Sequence, residues 1–218
     1  MRVVMIGATG LVGSLAARKL LAQGDDVDAL LRRPSGVVHR SWREHVAPPR
    51  KWSGIVAGLN PEASVSALGT TMRQAGSQAA FRAVDFDTVV AFARGAAAAG
   101  ARRMVTVSSV GADRSSANFY LRIKGEMEAA LEEMGFERLD ILRPGLLRGP
   151  RGGDRRLGER VGIMLSPVVN LFLRAGLDRY AAIDADIVAA AVAAALRQAG
   201  PGVYRHENKE IRALAAAP

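Results

Sequence analysis

An apolar run that breaks into a glycine-rich turn and then into a helix constrains this chain more than any other feature. Arg2 to Ile6 read as a strand, Gly7-Ala8-Thr9-Gly10-Leu11-Val12-Gly13 as the turn, and Ser14 to Gln23 as an Ala/Leu-rich helical stretch. A turn of this kind brings backbone N–H groups and the positive end of a helix onto a phosphate. Gly7 can take the tight turn, Gly10 lets the backbone approach phosphates, and Gly13 lets helix pack closely on strand. The spacing is G-x-x-G-x-x-G rather than G-x-G-x-x-G, so the strand–turn–helix context carries the reading, not the glycines alone.

The rest of the chain alternates short β-rich runs with helical patterns, the mark of a parallel sheet covered on both faces. After helix 11–23 come strand Val27–Leu31, an unclear stretch 35–60 (a strand near 45–47 and a helix near 49–58), and a buried strand Ala63–Leu68. A helix over 78–99 leads to strand Arg103–Ser108, a helix over about 119–134 and strand Leu139–Leu142. A basic loop 148–158, an apolar helix 159–174, a helix 184–199 with Asp184 as its N-cap and a strand Gly202–Arg205 complete the reading. The expected fold class is α/β: a doubly wound, mostly parallel sheet with helices on both faces. No linker or repeat divides it, so residues 1–218 are taken as one domain with a small substrate-side portion from about 148.

Several function classes fall away on composition. No cysteine is present, which excludes disulfides and thiolate metal sites, and His39, His45 and His206 have no metal-ligand spacing. No metal is expected, and the histidines read as surface or capping residues. The net charge of +9 comes mostly from arginine, since lysine occurs only at Lys19, Lys51, Lys124 and Lys209. No arginine-rich segment is interleaved with aromatics as a single-strand-binding surface needs. No nucleic-acid partner is expected; attraction to a phosphorylated cofactor explains the same charge. The apolar stretches 161–173 and 187–197 are too short to span a bilayer. A strand starting at residue 2 leaves no room for a signal peptide, so a soluble, cytoplasmic protein is expected. The apolar helix 159–174 reads as core or as a surface for a homodimer or other partner.

A second constellation carries the chemistry. Tyr120 and Lys124 stand four apart on one helix and so share a face. An ammonium beside a phenol favours the phenolate. Ser108 and Ser109 end the preceding strand, where a hydroxyl could hold a substrate carbonyl. They lie 12 and 11 residues before Tyr120, and Ser108 is weakly favoured. At the end of strand two stand Arg32 and Arg33 rather than the acid that binds ribose hydroxyls in an NAD-type site. Paired guanidiniums suit a 2′-phosphate, which accepts bidentate charge-assisted bonds. This favours NADP(H) over NAD(H). Asp28 is the competing acid of that strand and sits near its wrong end.

Gly7 to Gly13, Ala67-Leu68-Gly69-Thr70-Thr71, Val84-Asp85, Ser108 to Asp113, Tyr120 to Glu126 and Leu142-Arg143-Pro144-Gly145 together resemble the atypical branch of the short-chain dehydrogenase/reductase superfamily. The likeness is nearest to the Tat-interacting-protein group of NADPH-binding proteins, which includes a metastasis-suppressor homologue. It covers about residues 1–212 and implies a Rossmann fold. It implies that Thr9, Gly10, Leu11 and Val12, with Gly7 and Gly13, line the pyrophosphate, and that Leu68 and Gly69 pass under the adenosine and ribose. Tyr120 would be the acid/base and Lys124 would bind the nicotinamide ribose. Pro144, Gly145 and Leu147 would border the nicotinamide, and Arg155 would lie near the cofactor. The acid commonly found near adenine after strand three is replaced by Ala47-Pro48-Pro49. Trp42 and Trp52 could cover adenine, but they fit gap-filling better and are left out of the site.

Two functions follow. One is an NADPH-dependent oxidoreductase acting on a small carbonyl or quinone-like substrate. The other is an NADP(H)-binding sensor or interaction module with little turnover. A sugar-nucleotide epimerase is disfavoured, because only about 70 residues follow strand six, little room for a sugar-nucleotide subdomain.

Overall fold

The computed structural model describes residues 1–149 and 178–217. Seven parallel strands form one sheet in the order β3-β2-β1-β4-β5-β6-β9. They are β1 (Arg2–Ile6), β2 (Asp26–Leu31), β3 (Trp42–Val46), β4 (Ala63–Ser66), β5 (Arg103–Val107), β6 (Arg138–Leu142) and β9 (Gly202–His206). A separate two-stranded ladder joins β7 (Leu147–Arg148) to β8 (Ile183–Asp184). The helices are α1 (Leu11–Ala22), α2 (Trp52–Ala57), α3 (Met72–Ala75), α4 (Gln78–Arg82), α5 (Val89–Ala98), α6 (Phe119–Glu132), α7 (Ala185–Ala195) and α8 (Asn208–Ala215).

The two-residue period of the strands divides the core into two layers. Val3 and Met5 face α1 and α7, whereas Val4 and Ile6 face α2, α5 and α6. On the first side the alanines of α7 (Ala189, Ala191, Ala193 and Ala195) are all buried, and their small side chains let this helix lie close against Val12, Ala16 and Leu20 of α1. On the other side Phe92, Met104, Met127 and Leu131 fill the space between sheet and helices. Truncating a side chain of this kind to alanine costs about 2–5 kcal/mol.

The structure departs from the sequence reading at definite places. The helix expected over 78–99 is broken into α4, a π turn over Ala83–Thr88, and α5. Strand β3 starts three residues earlier than expected and ends one earlier, and the helix after it begins as a 3-10 turn at Pro49–Lys51. α3, the β7–β8 ladder and α8 were not legible. Asp184 occupies the N-cap position of α7 without making a capping bond; it pairs with Arg148 at 3.6 Å, and Asp186 pairs with Lys19 at 3.0 Å. Trp42 and Trp52 are both buried, and the Trp52 indole N–H donates to the Ala47 carbonyl at 2.9 Å. They fill gaps beside β3, as expected. The apolar stretch 159–174, including any partner surface on it, and Arg155 lie outside the described residues.

Two of the histidines are partners of buried carboxylates rather than caps. His206 meets Asp140 at 2.8 Å, where Arg138 also grips Asp140 through Nε at 2.7 Å and Nη2 at 3.0 Å. His45 meets Asp28 at 2.8 Å, and Arg2 Nε meets the other carboxylate oxygen of Asp28 at 2.8 Å. Asp28 thus ties β1, β2 and β3 together. Burial pushes its carboxyl up, but the bonds from Arg2 and His45 and the charges of Arg2 and Arg43 outweigh that and hold it below the ordinary value of 3.8. A depressed carboxyl adds stability that is complete above its unfolded value and is lost as pH falls through its lower folded value. Asp28→Asn is expected to lower unfolding stability at neutral pH by about 1–2 kcal/mol, because Arg2 and His45 are themselves partly solvated. Urea unfolding across pH checks this: the gap between variant and parent must close in acid below the ordinary carboxylate range. A gap that stays constant would refute the charge account.

Candidate cofactor and catalytic site

The glycine turn sits where β1 ends, and its shape is set by missing side chains. Gly7 has φ +79°, and a Cβ on it would lie 2.4 Å from the Ala67 carbonyl carbon and 2.5 Å from the Leu68 nitrogen. A Cβ on Gly13 would lie 2.0 Å from the Gly7 oxygen. No ordinary residue fits either place. The Gly10 N–H donates to the Gly7 carbonyl at 2.9 Å, and the Ser14 N–H donates to the Gly10 carbonyl at 2.9 Å. Helix geometry leaves the N–H groups of the first turn of α1 without intrahelical acceptors, and no acidic residue occupies that turn. Thr9 and Gly10 are exposed above it. Val12 is buried among core residues, so only its backbone can face a ligand, and Leu11 is half-buried. This cradle fits a dinucleotide pyrophosphate.

Arg32 and Arg33 follow the last residue of β2, the strand paired with β1 through Ile6 and Leu30. Both are exposed, and neither has a carboxylate partner among the described residues. Asp28 is fully buried and committed to Arg2 and His45. Asp26, which the structure adds to the start of β2, lies at the far end of the strand and pairs with Arg43 at 3.3 Å. The end of β2 is therefore left to two unpaired cations.

Tyr120 and Lys124 lie in α6, whose N-cap Asn118 accepts a bond from the Leu121 N–H at 3.3 Å. Two residues four apart on the facing segment match them. The Phe81 ring packs on Tyr120 with centroids 5.6 Å apart, and Asp85 meets the Lys124 ammonium at 2.7 Å. Asp85 is inaccessible and Lys124 only 4% exposed. The other Asp85 oxygen accepts the Thr70 N–H at 2.9 Å. Gly69, exposed at the end of β4, lies directly over the pair: a Cβ there would sit 3.4 Å from Asp85 Oδ1 and 3.8 Å from Lys124 Nζ. Lys124 thus reaches the same rim as the half-buried Leu68 and Gly69.

The two serines divide. Ser108 is buried, and its hydroxyl donates to the Glu128 carboxylate, which Arg143 also holds through Nε at 3.1 Å. Ser109 is half-buried and donates only to the Val110 carbonyl at 3.3 Å. Pro144 accepts the Val110 N–H at 3.0 Å through its carbonyl, which brings the 144–145 turn beside the serines. The Gly145 N–H donates to Asn208 Oδ1 at 3.0 Å, and a Cβ at Gly145 would lie 2.4 Å from the Ala181 oxygen. Leu147 is half-buried in β7.

Sequence reasoning passed over Phe81, Glu128, Asn208 and Gly125, and noted Asp85 only as part of a resemblance. A Cβ on Gly125 would lie 2.2 Å from the Arg114 nitrogen, so α6 can approach the 113–114 loop only at a glycine. The readable signal was the shared spacing of Phe81/Asp85 and Tyr120/Lys124.

Comparison with known proteins agrees with this geometry. The NAD(P)H-binding family matches residues 7–199. Among curated relatives, protein FMP52, mitochondrial, of Coccidioides immitis is 37% identical over 73% of this chain and 71% of its own length. Its namesake in Aspergillus niger is 34% identical over 87% and 84%. Among solved structures, the UDP-Glc/GlcNAc 4-epimerase of Campylobacter jejuni superposes with a TM-score of 0.72 at 14% identity, covering 97% of this chain and 82% of that one. The UDP-glucose 4-epimerase of Thermus thermophilus in complex with NAD gives 0.68 at 19%, covering 99% and 82%. These likenesses show the fold. The expected cytoplasmic location is overturned, because the curated relatives carry mitochondrial names and compartment cannot be read from where a first strand begins. Among the described residues no helix is long and apolar enough to cross a membrane. With a glycine turn at Gly7–Gly13 between β1 and α1, a parallel Rossmann-like sheet and a match over most of its length, the chain belongs to the NAD(P)H-binding family.

Proposed function

We propose that the protein is an NADPH-dependent oxidoreductase of the atypical short-chain type, reducing a small carbonyl or quinone-like substrate. One observation carries the reading: the Lys124 ammonium, on the same face of α6 as Tyr120, reaches the rim of β4 at Gly69, beside the glycine cradle. The first-turn N–H groups of α1 would hold the pyrophosphate, Arg32 and Arg33 the 2′-phosphate, and Lys124 the nicotinamide ribose. When bound, the reduced nicotinamide supplies a hydride to a carbonyl carbon. Tyr120 donates its phenolic proton to the carbonyl oxygen and regains one from solvent. Ser109 is the better placed hydroxyl to orient that oxygen, since Ser108 is occupied by Glu128. Pro144, Gly145 and Leu147 wall the nicotinamide side.

One observation favours a binding module with little turnover: the Asp85 carboxylate balances the Lys124 charge and weakens its pull on the phenol. One experiment tests the cofactor assignment and a second separates the two readings. By linkage, NADPH is expected to raise the melting temperature more than NADH at equal concentration. Arg32→Ala with Arg33→Ala should remove that difference and weaken NADPH binding about tenfold or more. Equal shifts with both nucleotides in the parent protein would contradict the 2′-phosphate assignment. Tyr120→Phe should reduce NADPH oxidation with quinones, aldehydes or ketones about a hundredfold or more while preserving the NADPH-induced melting shift. If no member of such a panel gives Tyr120-dependent turnover, the oxidoreductase reading fails and the binding module replaces it.

A further inference from the structure

Asp85 stands in the π turn Ala83–Thr88, where the Thr88 hydroxyl donates to the Ala83 carbonyl at 2.7 Å across the widened helix. Wide turns of this type cost regular helical bonding and recur at functional sites. Here the turn delivers a carboxylate that is completely inaccessible, with one oxygen on Lys124 at 2.7 Å and the other on the Thr70 N–H at 2.9 Å. The contact with Lys124 is ionic rather than a well-angled hydrogen bond. A buried carboxylate is expensive unless paired. The arrangement therefore joins three separate pieces: the π turn, α6 and the segment after β4 that carries Gly69.

We propose that Asp85 is a positioning residue, holding the Lys124 ammonium and the Gly69–Thr70 backbone in one fixed geometry so that cofactor binding at Lys124 is insensitive to pH. This rests on the reading that Lys124 meets the nicotinamide ribose. The groups acting on Lys124 are Asp85 from the π turn, and Tyr120 and Glu128 from its own helix, Glu128 being itself held by Ser108 and Arg143. Burial pushes the lysine down, and the charges of Asp85, Tyr120 and Glu128 with the Asp85 contact more than restore it, leaving it above its ordinary value. Without Asp85 the burial would dominate. Lys124 would then lose its proton at a moderately alkaline pH.

The chain has four lysines, so isotope labelling of the full-length protein gives a simple spectrum in which Lys124→Met identifies the Lys124 signal. In the parent, Lys124 should keep its proton through the ordinary lysine range, and NADPH affinity should be flat across the alkaline range. In Asp85→Asn, Lys124 should titrate below the ordinary lysine range, and NADPH affinity should fall about tenfold across that titration. Asp85→Glu should restore the charge and the flat affinity while speeding hydrogen exchange at the Thr70 amide. A pH-independent loss of NADPH binding in Asp85→Asn, or an unaltered Lys124 titration, would overturn the proposal. Should Asp85→Asn not fold, a parent Lys124 that titrates below the ordinary lysine range overturns it alone, and a fast-exchanging Thr70 amide in the parent does so as well. The underlying reading fails separately: in that case Lys124→Met leaves NADPH affinity unchanged at every pH.

Discussion

Two glycines bring the first strand, the first helix and the end of β4 closer together than any side chain would permit. Gly7 lies against the Ala67–Leu68 backbone, and Gly13 lies against the Gly7 carbonyl, each at a distance a Cβ could not survive. That contact seats the positive end of α1 where β1 ends, beside the segment that follows β4. The neighbouring end of β2 brings Arg32 and Arg33 to the same side of the molecule. A glycine turn under the first turn of α1 and a pair of guanidiniums without carboxylate partners among the described residues thus follow from one tight junction and the parallel register.

The face that carries Tyr120 and Lys124 is built from the opposite direction. α6 is fixed against the broken helix by an aromatic contact at Phe81–Tyr120 and an ion pair at Asp85–Lys124. Glu128 adds a third anchor, because it binds Ser108 at the end of β5 and Arg143 just after β6. Three strand ends and two helices are therefore locked around Tyr120. The polar groups that do this are buried and paired, which makes their geometry rigid and the loss of any one partner costly.

Much of this was legible in the sequence, for physical reasons. The alternating strands and the Gly7–Gly13 turn are local patterns, so β1, α1, β4, β5 and β6 could be placed within a residue or two. Tyr120 and Lys124 share a helix face by spacing alone. What escaped depends on contacts between distant segments. Nothing local to Ala83–Thr88 announces a π turn, and the partner of its Asp85 is Lys124, 39 positions along the chain. The roles of Ser108 and Ser109 could not be divided, because Glu128 lies 20 residues beyond Ser108 and one turn past Lys124. Asn208, which fastens Gly145, sits in a helix too short and too charged to stand out. Compartment was misread because it depends on the identity of the protein's relatives rather than on any pattern within the fold.

The central claim is that the Gly7–Gly13 cradle, Arg32–Arg33 and Lys124 hold one NADPH molecule between them. A crystal structure of the full-length protein with bound NADP⁺ tests it most directly. The account predicts the pyrophosphate against the first-turn N–H groups of α1, the 2′-phosphate between Arg32 and Arg33, and the nicotinamide ribose at Lys124 beside Gly69. A nucleotide bound with its 2′-phosphate turned away from both arginines, or with its nicotinamide remote from Tyr120 and Lys124, would contradict it.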